Sequence, residues 1–104
     1  MTVKEIVSEF KTKVEDLYGQ RLKNVILYGS YARGDATEDS DIDLLVILDG
    51  EVKPGREIDR MIEAVTDINL KHDVLLSICP VSEEEYIRVN SPLYMNIRRE
   101  GLTV

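Results

Sequence analysis

The chain has few of the features that mark secreted or membrane-bound proteins. It contains one cysteine, Cys79, so no disulfide can form within it. Its longest apolar run, from Leu44 to Leu48, is far shorter than the roughly 20 residues needed to cross a bilayer. Charged residues interrupt the start of the chain, so a signal peptide is not expected there. We therefore expect a cytoplasmic protein without a membrane span.

Basic residues are also scarce. Acidic residues outnumber basic residues 20 to 13, which gives a net charge of -7. A domain that binds nucleic acid through its own surface usually carries a basic patch. Direct binding to DNA or RNA is therefore not expected. A nucleotide held through a metal ion remains compatible with this charge, because the metal supplies the positive charge.

What is present suits one globular domain. The chain has 104 residues, of which 43% are hydrophobic, and we expect a single domain over 1–104. Apolar spacing predicts helices over 2–18 and 56–70, a helical turn over 31–34, and strands over 22–28, 42–48 and 73–79. Pro80 is expected to end the third strand, and short helices are expected after Ser82 and Ser91. This order predicts an α/β (α+β) domain with a small mixed sheet.

Three aspartates stand at the head of the second predicted strand. Asp39, Asp41 and Asp43 precede or begin an apolar run, although strands disfavour aspartate. Side chains two residues apart on a strand point the same way, so Asp41 and Asp43 share a face. Such like charges are tolerated where a cation neutralises them. Asp39 is expected to be a loop residue rather than a ligand.

The predicted topology brings further residues to this edge of the sheet. The second and third strands are joined through a long helix, so they are expected to run parallel with a right-handed crossover. Asp73, taken as the first residue of the third strand, would then lie beside Asp41 and Asp43. The short connection from the first strand favours an antiparallel pairing, which places Gly29 and Ser30 at the same edge.

These residue types indicate metal-assisted phosphoryl chemistry. Carboxylates at one edge suit Mg²⁺, and two such ions can clamp the oxygens of an in-line displacement. Gly29 has no Cβ to keep a phosphate from the backbone, and the Ser30 hydroxyl and nearby amides can donate to phosphate oxygens. Arg33 is a further candidate for phosphate binding, with the alternative that it ties the loop to nearby acids. His72 is expected at the surface.

The same residues resemble a known family signature. Gly29-Ser30, ten further residues, and then Asp41-Ile42-Asp43 resemble the signature of the DNA polymerase beta nucleotidyltransferase superfamily. The segments GSYARGDATEDSDIDLLV and NSPLYMNIRREG are similar to the minimal nucleotidyltransferases (MNT), which pair with HEPN-domain proteins. This resemblance implies the mixed-sheet nucleotidyltransferase fold and Mg²⁺-dependent transfer of AMP from ATP.

The resemblance also implies residue roles and a partner. Asp41 and Asp43 would bind metal, Gly29 and Ser30 would grip the triphosphate, and Asp73 would be a third carboxylate that helps to deprotonate the acceptor. The chain has little beyond the core, so the acceptor site is expected to be missing or to be supplied by a partner.

The acceptor is expected to be a tyrosine of a HEPN ribonuclease toxin, with this chain as the antitoxin. One alternative is an antitoxin that acts by binding alone. Another is a transferase for a small molecule, like the aminoglycoside nucleotidyltransferases, completed by a partner subunit. The base of the nucleotide and the oligomeric state, including a homo-oligomer, are left open.

Overall fold

The computed structural model describes residues 2–104, which form helices on both faces of a four-stranded sheet. The helices are α1 (Val3–Tyr18), α2 (Ser30–Arg33), α3 (Pro54–His72), α4 (Glu83–Arg88) and α5 (Pro92–Glu100). The strands are β1 (Leu22–Tyr28), β2 (Ile42–Leu48), β3 (Leu76–Ser82) and β4 (Leu102–Thr103). The predicted α/β class is confirmed. No helix in the described part of the chain is long and apolar enough to span a membrane.

The sheet is mixed, as predicted. Its strand order is β3-β2-β1-β4, with β1 antiparallel to both of its neighbours and β2 parallel to β3. The parallel pair is joined through α3, whereas the antiparallel pair is joined by the short segment that contains α2. The start of β2 and the end of β1 therefore lie at the same edge. The two-residue strand β4 was not predicted, because it is too short to show a pattern.

The central strand β2 is covered on both faces, which explains its continuous apolar sequence. Ile42, Leu44, Val46 and Leu48 pack with α1 and α3, whereas Leu45 and Ile47 pack with α5. Side chains alternate along a strand, so Asp43 lies on the α5 face of the sheet.

The layer formed by α1 and α3 contains two polar contacts that the sequence did not predict. The Tyr18 hydroxyl donates to Glu57 Oε1 at 3.0 Å, and Glu57 is buried. His72 Nε2 lies 2.6 Å from Glu9 Oε2, with only 8% of the histidine side chain exposed. The expectation that His72 is a surface residue is therefore wrong, because this hydrogen-bond contact holds the ring between the helices.

The third strand begins three residues later than predicted. The helix α3 continues to His72, and Asp73 is its C-cap, with φ 51° in the left-handed region. Pro80 does not end the strand but lies within it, opposite Val46. The Ile42 amide donates to the Leu75 carbonyl, so alternate residues, including Pro80, turn their backbone away from β2. On this edge strand the missing N–H of proline breaks no ladder bond.

The outer edge of β3 has a second local feature. The Leu76 amide, which also faces away from β2, donates to the side chain of Asn69 at 2.9 Å. The asparagine belongs to the last turn of α3. Helix and strand are therefore joined by a hydrogen bond close to the point where α3 ends.

Candidate functional site

Asp41 and Asp43 lie together at the edge of the sheet where β2 begins. Asp43 pairs with Tyr28 of β1 and is partly buried, whereas Asp41 stands just before the strand and is exposed. Burial raises the pKa of the Asp43 carboxyl, the charge of Asp41 raises it further, and the Arg33 guanidinium lowers it. A positive charge beside the pair would therefore stabilise both ionised carboxylates.

The backbone of Gly29 packs directly against Asp43. Gly29 has φ 75° and ψ −153°, a conformation that residues with a Cβ rarely adopt. A Cβ built on Gly29 would lie 2.3 Å from Asp43 Oδ2, closer than two such atoms can approach. The expected meeting of the Gly29 turn with the carboxylates is thus found, and glycine is required for it.

The turn after Gly29 directs backbone donors to this edge. The amides of Ala32 and Arg33 donate to the Gly29 carbonyl at 3.1 Å and 3.0 Å, which forms the single turn of α2. The amides of Ser30 and Tyr31 are left out of these hydrogen bonds. The first amides of a helical turn can donate to an anion, and Gly29 and Ser30 lie next to the carboxylate pair.

Arg33 is held by two acidic residues. Its Nε lies 3.3 Å from Asp35 Oδ2, and its Nη1 lies 3.6 Å from Glu100 Oε2 on α5. The alternative that Arg33 ties the loop to nearby acids is therefore seen in the structure. The same guanidinium still acts on Asp43, because it lowers the pKa of that carboxyl.

Asp73 is not the first residue of β3, so its predicted place in the strand is wrong. It is an exposed helix cap at the end of α3, and α3 packs on the face of the sheet opposite Asp43. The residue of β3 that pairs with Asp43 is Ser77, because the strand begins later than expected. Among residues 2–104 no three His, Cys, Asp or Glu side chains form a group arranged to hold a metal ion.

The remaining pair still suits Mg²⁺. This ion is commonly bound through one or two carboxylates, with waters and substrate phosphates as its other ligands. Asp41 and Asp43 share one face, so two carboxylates are available to one ion. Asp41 is exposed, so waters and a substrate phosphate can reach that ion. Asp39 is exposed in the loop before β2, in agreement with its expected place in a loop.

A cavity of about 400 Å³ with both polar and apolar lining opens beside the Gly29 turn. Its lining comes from β1, α2 and α5, and consists of Tyr28, Gly29, Arg33, Leu93, Asn96, Ile97, Arg99 and Glu100. The contribution of α5 was not predicted. The only feature of the sequence that pointed to α5 was a pair of adjacent arginines in an otherwise acidic chain. A larger, mainly apolar cavity of about 550 Å³ lies between α1 and β4, without either aspartate in its lining.

Sequence comparison relates the chain to proteins of one kind. A family model described as a nucleotidyltransferase domain matches residues 7–100. A protein of Methanocaldococcus jannaschii named "Putative protein adenylyltransferase" is 36% identical over 102 residues, which cover 97% of this chain and 96% of the relative. A second protein of that organism with the same designation is 39% identical over 77 residues, covering 74% of this chain and 77% of the relative.

Two solved structures with the same fold are of toxin–antitoxin proteins. A toxin–antitoxin crystal structure with AMP-PNP has a TM-score of 0.68 and 16% identity, covering 98% of this chain and 72% of that chain. A variant of the MntA–HpeT toxin–antitoxin pair has a TM-score of 0.65 and 14% identity, covering 99% of this chain and 72% of that chain. At these identities the likeness shows the fold.

Proposed function

Because the chain belongs to the nucleotidyltransferase domain family, it is a nucleotidyltransferase, and we propose that it transfers AMP from ATP to a hydroxyl of a partner protein. The relatives named as protein adenylyltransferases support a nucleotide donor that carries AMP and a protein acceptor. The observation that carries the proposal is the contact between Gly29 and the Asp43 carboxylate. It joins a turn that can bind phosphate to a carboxylate pair that can bind metal.

Each residue of the site has a proposed role. Asp41 and Asp43 hold Mg²⁺, which supplies positive charge to the phosphate oxygens when it is bound. The amides of Ser30 and Tyr31 and the Ser30 hydroxyl donate to the triphosphate. Gly29 has no Cβ, so the phosphates can approach the backbone there. Arg33 adds a fixed positive charge beside Asp43. Asp73 receives no role in this chemistry, because it caps α3 and the described residues contain no group of three carboxylates arranged to hold a metal ion.

The proposed reaction is an in-line substitution at phosphorus. The acceptor oxygen forms a bond to the α-phosphorus of ATP, and the bond between that phosphorus and the bridging oxygen to the β-phosphate breaks. Pyrophosphate leaves with the bonding electrons, and the hydroxyl proton passes to a base. Asp73, as the cap of α3, is not assigned this proton, and β3 offers Ser77 beside Asp43 in place of a carboxylate.

The acceptor is proposed to be a toxin that this chain neutralises. Support comes from the fold, which is shared with toxin–antitoxin proteins, one of them solved with AMP-PNP. The resemblance to MNT proteins adds that the toxin is a HEPN ribonuclease and that the modified residue is a tyrosine. A partner that supplies the acceptor would also complete the β3 side of the site.

The test combines binding with mass measurement. Calorimetry should show ATP binding that requires Mg²⁺, and Asp43→Asn should weaken this binding and reduce transfer roughly 100-fold or more, since a metal ligand is lost. A HEPN protein incubated with the natural chain and Mg-ATP should gain the mass of one or more AMP units. Asp49→Asn, at the opposite end of β2, is the matched control and should behave like the natural chain.

Two outcomes would overturn the proposal. Metal-independent ATP binding that Asp43→Asn leaves unchanged would show that the carboxylate pair is not the metal site. A partner that is bound and neutralised, but never modified with any nucleotide, would favour the antitoxin that acts by binding alone.

A further inference from the structure

The cavity beside Gly29 contains a network of charged side chains that the proposed function does not yet use. Glu100 on α5 lies between two arginines: its Oε2 is 3.6 Å from Arg33 Nη1, and its Oε1 is 4.0 Å from Arg99 Nη2. Arg99 Nη2 also donates to Asn96 Oδ1 at 2.7 Å. All four side chains line the same cavity of about 400 Å³.

Arg99 is the arginine of this network that is best placed to receive an anion. Two guanidiniums line the cavity, and Glu100 is the acidic residue among its lining side chains. Asp35 pairs with Arg33 from outside the cavity lining, so the less neutralised guanidinium is that of Arg99, which lies 4.0 Å from Glu100. The Arg99 side chain is 71% exposed, so its donors remain accessible to a ligand. Guanidinium groups match phosphate oxygens in both charge and geometry.

The position of the cavity identifies which part of the nucleotide it would receive. Gly29 belongs both to the cavity lining and to the contact with Asp43. A triphosphate whose α-phosphate lies at the carboxylate pair would thus extend its other phosphates past Gly29 and into the cavity. Leu93 and Ile97 give the cavity apolar lining, and Arg33 and Arg99 give it its positive groups.

We propose that Arg99, together with Arg33, binds the β- and γ-phosphates of the donor nucleotide and then the pyrophosphate that leaves. Glu100 is a positioning residue that holds the two guanidiniums on one side of the cavity. This inference rests on the proposed function, because it assumes that a triphosphate binds at Asp41 and Asp43. It adds a helix near the end of the chain to a phosphate site otherwise built from β1 and α2.

The test compares ligands that differ only in the phosphates assigned to the cavity. Calorimetry would measure Mg-ATP, inorganic pyrophosphate and AMP with the natural chain, Arg99→Gln and Arg99→Lys. Arg99→Gln should weaken binding of ATP and of pyrophosphate by about ten-fold, the usual effect of losing a charged hydrogen bond. AMP binding should not change, and Arg99→Lys should recover part of the loss.

Arg88→Gln is the matched control, since Arg88 is an exposed arginine on α4 that pairs with Glu84 and does not line the cavity. It should bind all three ligands like the natural chain. Unchanged ATP binding by Arg99→Gln, or an equal loss for ATP and AMP, would overturn the inference while leaving the proposed function intact. A natural chain that binds neither ATP nor pyrophosphate would overturn both.

Discussion

The two strands beside β2 offer different chemistry to the Asp41–Asp43 pair. On the β1 side the chain supplies Gly29 in contact with Asp43, followed by the α2 turn and the Arg33 guanidinium. On the β3 side the residue paired with Asp43 is Ser77, and the sequence of this strand, LSICPVS, contains no carboxylate. The side proposed for phosphate is thus complete within the chain, whereas the other side lacks a base.

The face of Ser77 follows from its neighbours in the strand. Cys79, two residues later, packs with Leu45 on the α5 face of the sheet, so Ser77 shares that face with Asp43. Ser77 is exposed, and so is Leu75 before it. An acceptor can therefore approach over this strand, and a protein acceptor could bring the missing base with it. The comparison leads to three predictions beyond the tests above.

The largest effect is expected at the Gly29 contact. Gly29→Ala should destabilise the fold by roughly 1–3 kcal/mol, because the new residue would occupy a strained conformation, and its Cβ would displace the Asp43 carboxylate. Transfer should fall by about 100-fold, the usual cost of misplacing a reacting group by an ångström. Chemical denaturation and AMP transfer measure the two effects. This collision also means that Gly29 substitutions do not test phosphate contact alone.

Gly34→Ala is the control for Gly29→Ala. Gly34 also has a positive φ, of 87°, but a Cβ there would meet no atom within 4 Å. The Gly34→Ala substitution should lower the free energy of unfolding by roughly 1–2 kcal/mol. It should leave the transfer activity of the folded protein unchanged. Equal losses of activity in the two variants would show that the contact with Asp43 is not what makes glycine necessary.

The second prediction concerns the β3 side. Asp73→Asn should keep full transfer activity and stay within about 0.5 kcal/mol of the natural stability, since asparagine also tolerates the left-handed cap conformation. Ser77→Asp should bind Mg²⁺ with a nucleotide on the order of ten-fold more tightly, because it adds a carboxylate beside Asp43. Calorimetry and AMP transfer would measure both variants.

Ser77→Asn separates charge from size in that experiment. If it tightens metal binding as much as Ser77→Asp does, the effect is not that of a third carboxylate. Loss of transfer in a folded Asp73→Asn protein would show that Asp73 takes part in the chemistry despite its place at the end of α3.

The smallest effect concerns the α1–α3 layer, which lies on the other face of the sheet from the site. Hydrogen bonds from Lys71 and His72 lower the pKa of Glu9 from 4.5 to about 2. A pKa lowered by folding means that the ionised carboxylate stabilises the native state above pH 4.5, and that this stabilisation is lost as the pH falls towards 2. Glu9→Gln should therefore be less stable than the natural chain at pH 7 and equally stable near pH 2.

Denaturant unfolding across this pH range would measure the difference, with Glu15→Gln on the exposed face of α1 as the control. Nucleotide binding at pH 7 should be the same in both variants. A Glu9→Gln protein that lost stability in parallel with the natural chain down to pH 2 would contradict the assignment of the acid sensitivity to Glu9.

The sequence predicted the strand positions most accurately where local residue patterns determine the structure. The strands β1 and β2 have the predicted bounds, because one apolar run ends at Gly29 and the next begins directly after Asp43. The third strand was misplaced because Lys71 and His72 continue α3 through contacts with Glu9, which lies far away in the sequence. The same error put Asp73 in the site.

The α5 residues of the cavity were missed for a related reason. Asn96 and Arg99 have helical spacing, which indicates the exposed end of a helix. The neighbouring sequence does not indicate that they line a cavity with Gly29. Their place depends on how α5 returns to pack against β1 and on the short strand β4 that follows it. Contacts between segments distant in sequence leave no periodic signal.

The outer edge of β3 also limits how another protein can join this one. Addition of a strand to a sheet edge requires a series of free amides and carbonyls. Of the outward-facing positions of β3, Leu76 already donates to Asn69, and Pro80 has no amide to offer. Ile78, between them, retains an N–H, and the remaining outward-facing position, Ser82, ends the strand as the N-cap of α4. A protein that approaches over β3 must therefore bind through side chains on the face of the sheet, and unfolded chains gain little template for aggregation there.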